Sequence, residues 1–335
     1  MVSPKLLFIC GGGHSGSTIL DLLLGEHRAI TSVGEVAELN HFLEHAEYRC
    51  QCREHPSHCP FWRRVLDDLV DRANLDIPSL APVEPGGEIA SGRAFASGAT
   101  ISHRLPADMR RRYATTVTLK AQYVASGSYC RAGGGDDRDE TWLRRLAPDI
   151  MKRIDNAHLL FDAVRRISGT PVILDSSKHA YRLRLLRASQ PTTTYCLYLA
   201  RDGRARTFSD MRREKLSAEA AARKWVDVNL KTRQMIAPIP PSHRLAVTYE
   251  ELCRNPADTL AGICCFAGLE NDDALLGMQF GAAHNIGGNR NRFSVMTHIE
   301  EDTRWRDHMS AADLSTFERI GGSLNRELLG EHFRE

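Results

Sequence analysis

The chain has 335 residues, 42% of them apolar and 26% charged, and a formal net charge of +2. That length suits one large α/β domain, and the composition is that of an ordinary globular protein. The charge is too small to imply a general nucleic-acid or membrane partner, and no apolar run approaches the roughly 20 residues that a transmembrane segment needs.

In chain order, Lys5-Leu6-Leu7-Phe8-Ile9-Cys10 is short, apolar and followed at once by glycines, which reads as a first buried strand rather than a secretion signal. A cytoplasmic location is therefore expected, in which the nine cysteines stay reduced. Next comes Gly11-Gly12-Gly13-His14-Ser15-Gly16-Ser17-Thr18 and a helix through Ile19–Leu24. A glycine loop that opens a helix turns free N–H groups and the positive end of the helix dipole toward an anion. The spacing Gly11 to Gly16 is that of a nucleotide triphosphatase loop, except that Ser17 stands where the lysine belongs. The plainer reading is a turn that only links strand to helix.

Val33-Gly34-Glu35-Val36 begins another strand or turn. Cys50-Gln51-Cys52 and Cys59, with His55 and His58 between, form a metal-like constellation without a clear fourth ligand, so zinc, a disulfide and simple thiols all stay open. No metal ligand is assigned. Ala81–Thr100 and Ser126–Glu140 read as loops, and Arg110–Val124 and Trp142–Ile167 as helices.

The second half alternates strands with helices: strand Pro171–Asp175, helix Tyr181–Ala188, strand Thr194–Leu199, a helix from about Arg204, strand His243–Tyr249, and helix Pro256–Phe266. The expectation is an α/β fold, a P-loop-like parallel sheet with helices on both faces. Residues 1–335 then form one domain, with a helical or loop insertion at 71–150. In such sheets ligands lie beyond the carboxyl ends of the strands. Two side chains sit there. Lys178 follows Leu174-Asp175-Ser176-Ser177, and Arg201 follows Leu199-Ala200, with Ser209 two turns into the next helix. An arginine fork and a hydroxyl suit a phosphate. The bland alternatives are a surface pair of Arg201 with Asp202 and a surface salt bridge for Lys178. Late in the chain, His284-Asn285-Ile286-Gly287-Gly288-Asn289-Arg290-Asn291-Arg292-Phe293 is a loop carrying two arginines that either reach a phosphate or stay solvated.

These motifs together resemble the sulfotransferase family. Gly13 to Thr18 looks like its 5′-phosphosulfate loop, with His14 where the family usually has Lys or Arg. Arg201 and Ser209 stand at the separation of its 3′-phosphate motif, and Arg292, then Arg290, match the basic residue of its closing segment. Tyr249-Glu250-Glu251-Leu252 and Asn255-Pro256 also resemble the family, as packing and capping. The Cys-x-Cys stretch followed by Cys59-Pro60-Phe61-Trp62 is similar to one in bacterial members. The likeness covers both ends and the middle third and thins between Asp71 and Ile150. It implies 3′-phosphoadenosine 5′-phosphosulfate as co-substrate, a hydroxyl-bearing acceptor and no required metal. By likeness to tyrosylprotein sulfotransferases it implies Glu35 as base, with Glu38 its nearest rival and the histidines at 27, 41 and 45 as alternatives. Lys178 and His14 would face the transferred group, and residues 71–150 would border the acceptor. A P-loop kinase and a non-catalytic nucleotide binder are the competing readings.

Overall fold

A computed structural model of the chain describes residues 3–73, 121–130, 139–278, 283–293 and 299–330, without the side chains of Ala73, Asp139, Arg290 and Asn291. The first strand is β1 (Lys5–Gly11), in which every residue from Leu6 to Cys10 is buried. Leu6, Phe8 and Cys10 belong to one core cluster and Leu7 and Ile9 to the other, so the strand is covered on both faces. A continuous apolar run is the expected signature of such a strand.

After β1 come α1 (Ser17–Gly25), β2 (Ile30–Gly34), a 3₁₀ turn at Val36–Glu38, α2 (Leu39–Glu44) and α3 (Pro60–Ala73). The next described helices are α4 (121–130), α5 (Asp139–Leu146) and α6 (Pro148–Ser168). The chain continues through β3 (Val172–Lys178), α7 (Ala180–Ser189), β4 (Thr194–Ala200), α8 (Gly203–Arg213) and α9 (Ala218–Ile236). It ends with β5 (Arg244–Thr248), α10 (Tyr249–Arg254), α11 (Pro256–Ala267), α12 (Trp305–His308) and α13 (Ala311–Leu329). The five strands form one parallel sheet in the order β2-β3-β1-β4-β5. Helices α3, α6, α7, α9 and α13 contribute to the larger core on one face, whereas α1 and α11 pack on the other. No described helix is long and apolar enough to cross a membrane.

Several expectations need correction. Residues 126–130, read as loop, are helical. Ser126 donates to the Gln122 carbonyl and meets the Tyr181 hydroxyl at 2.6 Å, while Cys130 is buried in the core. Tertiary burial overrides the polar local composition there. The expected long helix at Trp142–Ile167 is two helices that break at Ala147, whose ψ of 59° reflects the proline that follows. Lys178 is the last residue of β3 rather than a residue beyond it, and Val33-Gly34 close a strand rather than begin one. The expected loop at Ala81–Thr100, the glycines of 131–138 and most of Arg110–Val124 lie outside the described residues.

Asp21, one turn into α1, joins three segments. Its fully buried carboxyl accepts from the Ser32 hydroxyl of β2 at 2.5 Å and from Asn285 Nδ2 at 2.6 Å. Burial pushes its pKa up to about 7 even though both hydrogen bonds pull it down. The folded form therefore holds a proton that the unfolded chain, at about 3.9, releases. Stability from this group is present below about pH 4 and declines as pH rises through about 7. Asp21→Asn should remove that slope. Urea midpoints at pH 5 and pH 8 check it: the parent should lose stability relative to the variant on going to pH 8, by on the order of a few kcal/mol.

Candidate active site

β1 is hydrogen-bonded to β3 on one side and β4 on the other, so its carboxyl end opens between the ends of those two strands, each of which runs on into a helix. The glycine loop occupies that crevice. Gly16 takes a φ of 92° as the N-cap of α1, and a Cβ there would lie 2.4 Å from Tyr249 Cδ2. Only glycine satisfies both conditions. Ser15 and Ser17 are buried, and the Ser15 hydroxyl has no internal hydrogen-bond partner. A buried, unpaired hydroxyl in an open-backed glycine loop is the arrangement expected of an anion cradle.

His14 takes a left-handed φ of 58° at the loop tip. Its pKa is lowered to about 4 by burial first and then by the charges of Arg206, Arg213 and Lys178. It is neutral at pH 7, so the cationic role implied for this position falls to its neighbours. Arg206 is the clearest of them, since a Cβ on Gly13 would stand 3.9 Å from its Nη2. Arg206 is buried and ion-paired with Asp210.

Lys178 and Glu35 come together. β2 and β3 are neighbours, with Gly34 opposite Asp175, so Glu35 and Lys178 leave the sheet side by side. A register shift occurs at this end of both β3 pairings, and Lys178, opposite Cys10 of β1, takes a left-handed φ of 74°. Asp175 supports the bend: it accepts from the Ser177 N–H at 2.8 Å and pairs with buried Arg182 at 3.5 Å. Ser177 in turn accepts from the Ala37 N–H at 3.1 Å, fixing the turn that follows Glu35. Lys178 Nζ is bonded to Glu35 Oε1, and each side chain keeps about a fifth of its surface exposed, at 20% and 22%. The lysine is thus paired, as the surface-bridge reading has it, but in a recess rather than on an open surface.

The late loop closes over this pair. Glu35 N–H donates to the Ile286 carbonyl at 2.8 Å, and Asn289 N–H donates to Thr18 Oγ1 at 3.1 Å. Gly287 has a φ of 72°, and a Cβ there would lie 2.7 Å from the Glu35 Cβ. Arg292 is buried, with Nη2 on the Arg49 carbonyl at 2.6 Å, and its charge interacts with Cys50, Glu35 and Asp21. It stands on the Glu35 side of the site. The Arg290 side chain lies outside the described residues.

Arg201 follows β4 on the opposite side. Nη1 donates to the His14 carbonyl at 2.8 Å, Nη2 reaches Asp302 at 3.4 Å, and the guanidinium lies 4.5 Å from the Tyr249 ring centre. Its Nε is buried without a partner. The alternative pairing with Asp202 does not occur, because Asp202 caps α8 and binds Arg204 at 2.6 Å. Ser209 is half-buried on α8. Of the alternative bases, His27 has both ring nitrogens engaged, with the Glu270 carbonyl at 2.9 Å and the Ala29 N–H at 3.0 Å. His41 meets the Tyr48 hydroxyl at 3.0 Å, and Glu38 is half-buried at the end of the 3₁₀ turn.

Four further side chains meet behind Glu35. The ligand atoms of Cys50, Cys52, Cys59 and His284 all lie within 4.8 Å of one another. The cysteines are free thiols. Sequence spacing isolates the three cysteines but gives no reason to attach His284, 225 residues from Cys59. Arg206 has no sequence mark of its own: in the run Arg201-Asp202-Gly203-Arg204-Ala205-Arg206 only Arg201 is set apart, by its place at the strand end.

A five-stranded parallel sheet, covered on both faces and carrying a glycine loop and cations at its carboxyl edge, defines an anion-transfer fold of the P-loop kind. Compared with protein-family models, the chain matches the sulfotransferase family over residues 4–273. It belongs to that family. Among solved structures it is similar to the sulfotransferase domain of the olefin synthase from Synechococcus PCC 7002. Identity there is 18%, with 97% of this chain and 96% of that one covered and a TM-score of 0.51. Two more distant likenesses are the sulfotransferase domain from the curacin biosynthetic pathway and sulfotransferase STF9 from Mycobacterium avium, each at 14% identity. The first covers 96% of this chain and 98% of that one with a TM-score of 0.48; the second covers 97% and 76% with 0.46. No curated protein matches the chain.

The close approach at Gly287 sets a test of the closing loop. Gly287→Ala places a methyl against Glu35 at a left-handed φ and should cost about 1–3 kcal/mol of stability, read as a lowered denaturant midpoint. An unchanged midpoint would mean that this loop does not seat on Glu35.

Proposed function

We propose that the chain transfers a sulfuryl group from 3′-phosphoadenosine 5′-phosphosulfate to an acceptor hydroxyl, with Glu35 as general base. The observation that carries this reading is the Lys178–Glu35 pair at the mouth of the glycine loop. A base and a cation held side by side beside an anion cradle are what in-line transfer of a charged group requires. Glu35 takes the proton of the acceptor hydroxyl as that oxygen bonds to sulfur. The bond from sulfur to the 5′-phosphate oxygen breaks, and adenosine 3′,5′-bisphosphate leaves with the electron pair. Lys178, within reach of the same space, stabilises the charge that grows on the departing oxygen.

The donor's two anionic ends suit residues on the two sides of the crevice. The loop amides and the unpaired Ser15 hydroxyl take the 5′-phosphosulfate. Arg201 and Ser209 take the 3′-phosphate, for which the orphaned Arg201 Nε is a ready donor. Arg290 of the closing loop would complete the anionic site, while Arg292 is buried on the Glu35 side with Nη2 on the Arg49 carbonyl. Ser17, buried at the first position of α1, offers no cation to a triphosphate. The insertion at 71–150 would border the acceptor.

Calorimetry separates donor classes: adenosine 3′,5′-bisphosphate should bind and magnesium-ATP should not, and the reverse result would end the reading. Arg201→Ala should weaken bisphosphate binding by about 2–4 kcal/mol and Ser209→Ala by about 1 kcal/mol. Parental affinity in both variants would remove them from the 3′-phosphate site.

Glu35→Gln keeps shape and removes basicity, so bisphosphate binding should persist while turnover falls by about 10²–10⁴. Near-parental turnover would exclude Glu35 as the base, and His41 would be the next variant to make.

A further inference from the structure

The sulfur cluster behind Glu35 has a geometry that sulfuryl transfer does not use. Cys50 and Cys59 are fully buried, and the His284 Nδ1 lies 3.3 Å from Cys59 Sγ and 3.9 Å from Cys50 Sγ. Cys52 completes a group of four ligand atoms, all within 4.8 Å of one another. In a tetrahedral zinc site, bonds of about 2.3 Å to sulfur and 2.0–2.1 Å to nitrogen put ligand atoms roughly 3.5–3.8 Å apart. The observed spacings bracket that range.

The surroundings hold the ligands in place. The Trp62 indole N–H donates to the His284 carbonyl at 2.7 Å, and the Phe61 ring stacks on the imidazole at 5.1 Å with 6° between planes. The Cys50 N–H donates to the Glu54 carbonyl and the Arg53 N–H to the Cys50 carbonyl, which folds a tight turn around the Cys-x-Cys pair. The Gln51 N–H donates to the Asn285 carbonyl at 2.9 Å, and its side-chain amide to the Arg292 carbonyl. Two segments far apart in sequence are thus zipped together around four soft and borderline donors.

We propose that Cys50, Cys52, Cys59 and His284 form a closed, four-ligand structural site for a zinc ion. Three thiolates and one neutral imidazole around Zn²⁺ leave a net charge of about −1. The buried Arg292 guanidinium, close enough to Cys50 for their charges to interact, offsets it. With all four positions taken by protein atoms, no place is left for a water, so the ion's role is to hold the fold. What it holds is the segment His284–Phe293, which carries Gly287 against Glu35 and Asn289 against Thr18. The ion therefore fixes the back wall of the catalytic recess without touching the reacting atoms.

Metal content tests the site without any turnover, so its outcome is independent of the donor and base assignments. The full chain, purified under reductant without metal-affinity resin, should carry close to one zinc per molecule by plasma mass spectrometry. Cys59→Ser and His284→Ala should each weaken zinc at least about 10-fold. Replacement of zinc by Co²⁺ in the parent should give the strong visible bands of a tetrahedral centre and near-ultraviolet thiolate charge transfer. Stripping the parent with a chelator should lower its melting midpoint by about 5 °C, restored by added zinc. The cobalt spectrum and the chelator melt are read on the parent, so they decide the matter even if the variants fail to fold. A parent that binds neither zinc nor cobalt under reductant, or whose intact mass is two hydrogens light with Cys50 joined to Cys59, would overturn the proposal.

Discussion

β1 is the strand on which the arrangement depends, because it stands at the centre of the sheet with β3 on one side and β4 on the other. β3 delivers Lys178 to one flank of its carboxyl end, and β4 delivers Arg201 to the other. The loop between them has no strand to continue into, so its N–H groups are left for an anion and for α1. The two-sided burial of Leu6–Cys10 makes the position of that loop rigid, since a shift of β1 would expose both cores at once. An enzyme that works by positioning rather than by covalent chemistry needs this kind of fixed reference.

On that reference the site divides into two units, one on the β4 side and one on the β3 side of the glycine loop. Arg201, Tyr249 and the His14 carbonyl form a compact unit in which an arginine fork already ties the glycine loop to β4. Glu35, Thr18 and Gly287–Gly288 form the other unit, tied by backbone hydrogen bonds to the late loop. Lys178 stands between them and carries a left-handed φ, a conformation that costs a non-glycine residue energy and is tolerated where surrounding contacts over-determine it. Asp175, Arg182 and Ser177 are those contacts.

Much of this was legible in the sequence for a definite reason. Strands β1, β3 and β4 begin as short apolar runs, and at or just past the end of each stands a residue type, glycine, lysine or arginine, that a buried strand end has no structural use for. Glu35 is marked only by family likeness; the residues alone show a strand or turn. The rest was hidden because it depends on contacts between distant segments. His284 joins three cysteines that precede it by more than 200 residues, and its ring is selected by Phe61 and Trp62, which look like ordinary core aromatics. Arg206 differs from Arg204 only in the direction it leaves α8. The helix through Ser126 is polar in sequence and is held by a hydroxyl on α7, a neighbour that no local pattern reveals.

His14 shows how the site's charge is distributed. Burial and three nearby cations drive its pKa down to about 4, so the residue at the conventional basic position is itself silent at neutral pH. Burial is the larger part of that depression, and the positive field of Arg206, Arg213 and Lys178 at the loop tip adds to it. An anion would experience that field with opposite sign. Two of these cations are partly occupied, Lys178 by Glu35 and Arg206 by Asp210, and Arg201 on the far flank is shared with Asp302, whose carboxyl is held at about 2 mainly by Arg304. Each carboxylate keeps its cation in place before an anion arrives and competes with that anion for the same N–H groups. The cations are thereby pre-positioned without being permanently satisfied, and a doubly anionic ligand that spans the crevice can engage both flanks, which a ligand charged at one end cannot do.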